Sequence, residues 1–403
     1  MRVCTMEDLP AIAGGRPVRT QYLVFGSPAI GEDEISEVTE SLRSGWVGTG
    51  PKVKKFEEMF KKFKKCRHAI ALSSCTAALH LSLQVLEIKP GHEVITTPLT
   101  FAATANSIIH AGAQPVFADV KLETMNIDPG EVEKKINRKT KAVIPVHLAG
   151  RPCEMDALME LANRFHLSVI EDAAHAIESS YKGDPIGTMG DLGCFSFYVT
   201  KNITTVEGGM VITRHDELAS RIKSLALHGL TQDAWQRFAD EGFKHYQVVS
   251  AGFKYNMTDI QASIGIHQLQ KIQSKSETRQ KIWEVYNQSF KGLPLILPPP
   301  TPPDQTHAYH LYTPLLELER VRCTRDEFLQ ALHQEKIGAG IHYISLHLHP
   351  FYRHTYGYRK GEFPNAEFIS DRTFSLPLSA KLTDQDVEDV IKAVKRILEY
   401  YYR

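Results

Sequence analysis

What this 403-residue chain lacks narrows its function first. It has no excess charge: Lys plus Arg number 47 and Asp plus Glu number 47, so the formal net charge is zero and no broad basic surface is offered to nucleic acid. It has no paired cysteines: Cys4, Cys66, Cys75, Cys153, Cys194 and Cys323 are scattered, without a Cys-x-x-Cys spacing or a His/Cys cluster. That predicts reduced thiols and no metal site. No uncharged apolar run approaches membrane-spanning length, and Met1-Arg2-Val3-Cys4-Thr5-Met6-Glu7-Asp8 lacks the apolar core of a signal peptide; the expectation is a cytoplasmic protein with no membrane partner. What remains is ordinary globular composition, long enough for one large domain and one smaller one.

Lysines at 52–65 alternate with Phe56, Met59, Phe60 and Phe63 at helical spacing, the pattern of an amphipathic helix with a solvated cationic face. Ala69-Ile70-Ala71-Leu72 reads as a buried strand running into Ser73-Ser74-Cys75-Thr76-Ala77-Ala78 at the start of a helix. The Ser and Thr there either cap the helix or help its free N–H groups hold a phosphate. Further apolar strands at 93–96, 115–118, 142–146, 168–171 and 193–197 alternate with helices at 102–110, 129–136 and 155–165. Repeated βα units predict an α/β fold with a mostly parallel sheet, ligands binding beyond the carboxyl ends of its strands. Helices follow at 217–227, 258–270 and 276–290, with a polar region at 231–245. Beyond the stiff Leu297-Pro298-Pro299-Pro300-Thr301-Pro302-Pro303 linker come strand signals at 309–316, a helix at 326–335 and a Thr383-capped helix to 401. The division expected is a large domain over 1–260, then linking helices and a small domain over 261–403.

Three chemically distinct residues fall at the strand ends: Phe101 after the strand at 93–96, Asp172 after Val169-Ile170-Glu171, and Lys201 after Phe195-Ser196-Phe197. Taken singly, Lys201 could be a surface lysine, Asp172 a helix cap, Phe101 a core ring and Ser196 a core hydroxyl. Together they match the needs of pyridoxal phosphate. An amine flanked by Val199 and Ile203 is partly desolvated and can form a Schiff base with an aldehyde. A carboxylate keeps a pyridine nitrogen protonated so that the ring accepts electrons. Phe101 can stack on a flat ring, and Thr76, Ala77 and Ser196 offer phosphate donors.

The runs Glu171-Asp172-Ala173-Ala174-His175-Ala176, Gly193-Cys194-Phe195-Ser196-Phe197, Thr200-Lys201-Asn202-Ile203-Thr204 and Glu207-Gly208-Gly209-Met210 resemble the signature of the DegT/DnrJ/EryC1/StrS family of sugar aminotransferases. The resemblance covers nearly the whole chain and is nearest the branch that aminates UDP-4-keto-pentose toward 4-amino-4-deoxy-L-arabinose. It implies the aspartate aminotransferase-like fold type I of pyridoxal phosphate enzymes, with a seven-stranded sheet, and a ping-pong reaction. The implied partners are L-glutamate as donor and a nucleotide-linked 4-keto sugar as acceptor.

By resemblance, Lys201 is the Schiff-base lysine and Asp172 faces the ring nitrogen. His175 lies near the phenolic oxygen, Phe101 stacks, and Thr76, Ala77 and Ser196 bind phosphate. Lys254 and Asn256 close the site of a partner subunit in a homodimer, and Trp46, Thr49, His228, His342 and His347 lie near substrate. Two positions depart from the family: Lys254-Tyr255-Asn256 stands where most relatives carry Asn-Tyr-Arg, and Phe101 stands where the arabinose branch often has tryptophan. The family's dehydratases carry histidine at the position of Lys201. A 3-keto-sugar aminotransferase, an aminodehydratase and a non-catalytic binding regulator are the competing readings.

Overall fold

The computed structural model describes residues 9–231 and 246–403; the leading segment with Cys4, and most of the polar region expected at 231–245, lie outside the described residues. The first part of the chain gives α1 (Glu32–Ser44), α2 (Pro51–Lys64), β1 (His68–Leu72), α3 (Cys75–Val85), β2 (Glu93–Thr96), α4 (Ala102–His110), β3 (Gln114–Phe117), α5 (Pro129–Lys135), β4 (Thr140–Ile144), α6 (Met155–Phe165) and β5 (Ser168–Asp172). Then come the short β6 (Ser180–Tyr181) and β7 (Asp184–Pro185), β8 (Leu192–Ser196), β9 (Gly209–Thr213), α7 (Asp216–Ala226), α8 (Asp259–Gln270) and α9 (Ile272–Ser289). The chain ends with β10 (Leu295–Ile296), β11 (Gln305–Thr306), β12 (Leu315–Leu316), α10 (Arg325–Gln334), α11 (Pro350–Tyr356), α12 (Pro364–Arg372) and α13 (Asp384–Tyr401).

The central sheet has seven strands in the order β1-β9-β8-β5-β4-β2-β3. Strands β3, β2, β4, β5 and β8 pair parallel, and β9 runs antiparallel to both β8 and β1. Val94-Ile95, Val143-Ile144 and Val169-Ile170 are buried, as strands covered on both faces must be. Separate apolar clusters pack the sheet's surroundings, while another, built on Trp283, Tyr286, Phe328, Phe374 and Val390, gathers the C-terminal elements. The antiparallel β9 brings Gly209 to the same rim where β1, β8 and β5 end, pairing with both Leu72 and Ser196.

The strand expected at 309–316 shrinks to Leu315–Leu316. The reason is local: Tyr309 takes a left-handed backbone with φ 48°, and the N–H groups of Ala308 and His310 donate to Gly150 and Ala149 carbonyls. That stretch is therefore pinned to a turn beside β5 rather than to a sheet edge. The proline-rich stretch is likewise held, its Pro299 and Pro300 carbonyls accepting from the Arg151 guanidinium. The Thr383 cap is present, with Asp386 completing a capping box. Helices α11 and α12, each opening on a proline, carry no signal strong enough to have been read beforehand.

Candidate active site

A cavity of about 660 Å³ opens at the carboxyl-end rim of the sheet. Lys201 lines it from the turn that follows β8. Thr204 and Thr205 hold that turn by donating to the Phe197 carbonyl, Lys201 N–H donates to Tyr198 at 2.9 Å, and Ile203 anchors it in the core. Burial pulls the Lys201 amine down to about 8, against the opposing influence of Cys75 and the Asp172 carboxylate. No hydrogen bond to another described residue is made by this amine.

Asp172 ends β5 as a buried acid at the same cavity. Its Oδ2 accepts from Thr104 Oγ1 at 2.8 Å and its Oδ1 from Ala174 N–H at 3.2 Å. Burial raises its carboxyl, and these two donors oppose that rise. Glu171, next to it on the strand, is fully buried. It accepts from the backbone N–H groups of Gly187, Met189 and Gly190 at 2.7–2.9 Å and pairs with His147 Nε2 at 3.2 Å. Burial would raise its carboxyl, but His147 and the N–H groups outweigh that and leave it below its ordinary value. Glu171 thus fixes the end of the strand that presents Asp172.

At the other side of the rim, α3 points its N-terminus at the cavity, with Ser74, Cys75 and Thr76 in the wall. Ser74 Oγ caps Ala77 N–H at 3.0 Å, so the backbone donor of Ala77 is already engaged. A Cβ on Gly209 would come within 2.4 Å of the Ser74 carbonyl carbon and 2.5 Å of Cys75 N; only a glycine lets β9 lie this close to the helix N-terminus. Ser196 lies on the wall, and Phe101, 63% exposed, stands at the mouth with its ring 6.2 Å from that of Tyr343.

Three imidazoles complete the lining: His175, His310 and His342. All three are held below their ordinary value by burial first and the Lys201 charge second, His342 at about 4. His175 Nδ1 accepts from Ala149 N–H and its Nε2 meets Tyr343 Oη, both at 3.3 Å. His342 pairs with Ser375 Oγ at 2.8 Å and stacks on Phe25.

Of the residues expected from the sequence, Lys201, Asp172, His175, Phe101, Thr76, Ser196 and His342 share this cavity. Others sit elsewhere in the single chain. Asn256 donates to Thr49 Oγ1, which donates to the Met257 carbonyl; Lys254 bridges Leu227, and His228 N–H donates to Phe253. Trp46 is half exposed, while His347 is buried against Glu367 at 3.0 Å and Phe363. Sequence reasoning missed His310, which lies beyond the prolines and carries no local motif, and Tyr343, whose neighbour His342 was singled out while the tyrosine itself was not.

The donor set fits pyridoxal phosphate: an amine whose titration is brought down to about 8 for the aldehyde, a buried carboxylate for the ring nitrogen, and a helix N-terminus with adjacent hydroxyls for the phosphate.

Comparison with known proteins agrees. A profile of the DegT/DnrJ/EryC1/StrS aminotransferase family matches residues 28–395. An uncharacterized protein of Methanocaldococcus jannaschii is 52% identical over 94% of this chain and 99% of its own length. The spore coat polysaccharide biosynthesis protein SpsC of Bacillus subtilis is 46% identical, covering 94% and 98%. A Streptococcus pneumoniae chain assigned as a sugar aminotransferase and solved in its PLP form superposes with a TM-score of 0.87 at 33% identity, covering 94% of this chain and 99% of that one.

Proposed function

The chain belongs to the DegT/DnrJ/EryC1/StrS aminotransferase family and is a pyridoxal-phosphate-dependent sugar aminotransferase of fold type I, and from that premise we propose that it moves the amino group of L-glutamate to a nucleotide-linked 4-keto sugar. The two substrates use one cavity in turn, and the product is an amino sugar for a surface polysaccharide, lipid A or a secondary metabolite. The name of SpsC, with its reference to coat polysaccharide, favours the polysaccharide route. The observation that carries the reading is the pairing, in one cavity, of an amine brought to about 8 with a buried, doubly hydrogen-bonded carboxylate.

Pyridoxal phosphate, when bound, supplies an aldehyde that takes an amine and a ring that accepts the electrons of a deprotonated carbon. Lys201 would hold it, Asp172 would face the ring nitrogen, and the N-terminus of α3 with Thr76 and Ser196 would take the phosphate. Freed from that tether, the Lys201 amine would be a base matched to neutral pH, able to take and hold the proton lost from the donor's α-carbon. Thr104 and the Ala174 N–H both donate to Asp172, which favours its anionic form despite burial. Phe101 at the mouth would cover one ring face. A homodimer in which Lys254 and Asn256 reach the neighbouring site completes the reading; in the single chain neither residue lines the cavity.

The test is stopped-flow absorbance of the cofactor-loaded protein mixed with L-glutamate, then with UDP-, GDP- and dTDP-linked 3-keto and 4-keto sugars. Glutamate should bleach the visible band and one 4-keto sugar should restore it. No bleaching by glutamate, or recovery with 3-keto sugars alone, overturns the assignment of donor or acceptor respectively.

A further inference from the structure

His310 is placed by backbone hydrogen bonds to the turn at 149–150, and its ring lines the cavity beside that of His175, at a centroid distance of 4.4 Å and tilted 38° to it. Its Nδ1 lies 2.9 Å from Asn202 Oδ1, and Asn202 is the residue directly after Lys201. The amide of Asn202 has only one possible orientation. Its nitrogen faces Glu178 Oε2 at 2.7 Å and the Ala308 carbonyl at 2.8 Å, two groups that can only accept. The oxygen is therefore the atom turned to His310, and His310 must carry its proton on Nδ1. Glu178 is in turn anchored by an ion pair with Arg279, both side chains nearly inaccessible.

His175 is locked in the opposite sense. Ala149 N–H can only donate, so His175 Nδ1 must accept and the proton sits on Nε2, directed at Tyr343. With both rings neutral, His175 directs its donor at Tyr343 Oη, while the lone pair of His310 sits on Nε2. The Nε2 of His310 makes no hydrogen bond to a described residue and is not among the sealed, unpartnered atoms. His342 meets a hydroxyl that can donate or accept, so of the three cavity imidazoles His310 is the one whose partner fixes the lone pair on Nε2.

We propose that His310 is a positioning residue for the transfer reaction: when the Lys201 amine is released from the cofactor and swings toward this ring, the His310 Nε2 accepts one of its N–H groups and so aims the amine's lone pair at the reacting carbon. The proposal deepens the aminotransferase reading and rests on it. The charged and titratable groups that face His310 are His175, Lys201, His342, Arg279 and His307, with Glu178 reaching it through Asn202. The cationic surroundings and burial keep the ring unprotonated, and a neutral amide rather than a carboxylate at 202 preserves that.

Neutron diffraction from deuterium-exchanged crystals of the holoenzyme reads the tautomers directly. Deuterium is expected on Nδ1 of His310 and on Nε2 of His175; deuterium on Nε2 of His310, or on both its nitrogens, overturns the proposal. In single-turnover reactions with L-glutamate, His310→Phe should slow the half-reaction at least about tenfold, short of the roughly hundredfold or more that a positioned acid–base group itself contributes, with KM and cofactor content little changed. His310→Gln, which keeps an acceptor oxygen, should recover part of the rate. A full rate in folded, cofactor-loaded His310→Phe, or a loss confined to KM, overturns it. If His310→Phe does not fold, Asn202→Leu, which releases the tautomer but keeps the ring, carries the same expectation. Should the wild-type enzyme fail to react with glutamate, the donor assignment falls, while the neutron result still decides the tautomers.

Discussion

The sharpest consequence of the site is a titration. Lys201 is brought from an ordinary value of 10.5 to about 8, so at pH 7.5 about a quarter of the amines are neutral, against about one in a thousand for an ordinary lysine. The difference, roughly two-hundredfold in nucleophile, is what the apoenzyme should show when it captures pyridoxal phosphate. Capture is followed by stopped-flow absorbance between pH 6 and 10.5, with Nα-acetyl-lysine run in parallel to divide out the cofactor's own ionisation. The ratio should fall as pH rises above about 8, because the enzyme amine is then already neutral while the free one is still titrating. Asp172→Asn adds a sign. The carboxylate opposes the lowering, so its removal should move the midpoint below 8, not above it. A ratio flat up to pH 10, or an upward shift in the variant, would refute the account of how burial and Asp172 divide control of the amine.

Two other outcomes follow from neighbouring geometry. Glu171→Gln replaces an accepting oxygen with a donor where Gly187 N–H or Gly190 N–H already donates; at about 1–3 kcal/mol for each buried donor left unpaired, urea denaturation should show a loss of that order at pH 7. The native carboxyl lies below its ordinary value of 4.5, so its stabilisation is present above that pH and lost as pH falls below it; the variant should narrow its deficit in acid. Gly209→Ala would place a methyl 2.4 Å from Ser74, forcing the start of α3 away, and cofactor affinity measured by absorbance titration should weaken at least tenfold; unchanged affinity would mean that this helix end does not hold the phosphate.

The parts of the molecule that were readable beforehand are those whose signals are local. Continuous apolar runs such as Val169-Ile170 announce buried parallel strands, and Lys201 and Asp172 stand at the ends of such strands, where ligands bind. The parts that were not readable depend on chain segments far apart in sequence. His310 looks like one polar residue within an apolar stretch; only the pinning of Ala308 and His310 to the turn at 149–150 turns that stretch away from strand geometry and toward Lys201. Asn202 was visible beside the lysine, but its partners Glu178 and His310 lie 24 and 108 residues away. Thr49 and Asn256 meet each other rather than the cavity in the single chain.

The cavity wall draws on Phe25 near the start of the chain and on Leu378 near its end. A ribosome making this protein therefore releases the sheet and its lysine long before the wall is complete. Until the last strip, with His342, Tyr343 and Leu376, has emerged and docked, the cavity that holds Lys201 lacks that side of its wall and the amine's desolvation is incomplete. Cofactor capture should therefore follow the docking of that strip, and a chain cut before His342 should hold Lys201 nearer to an ordinary lysine.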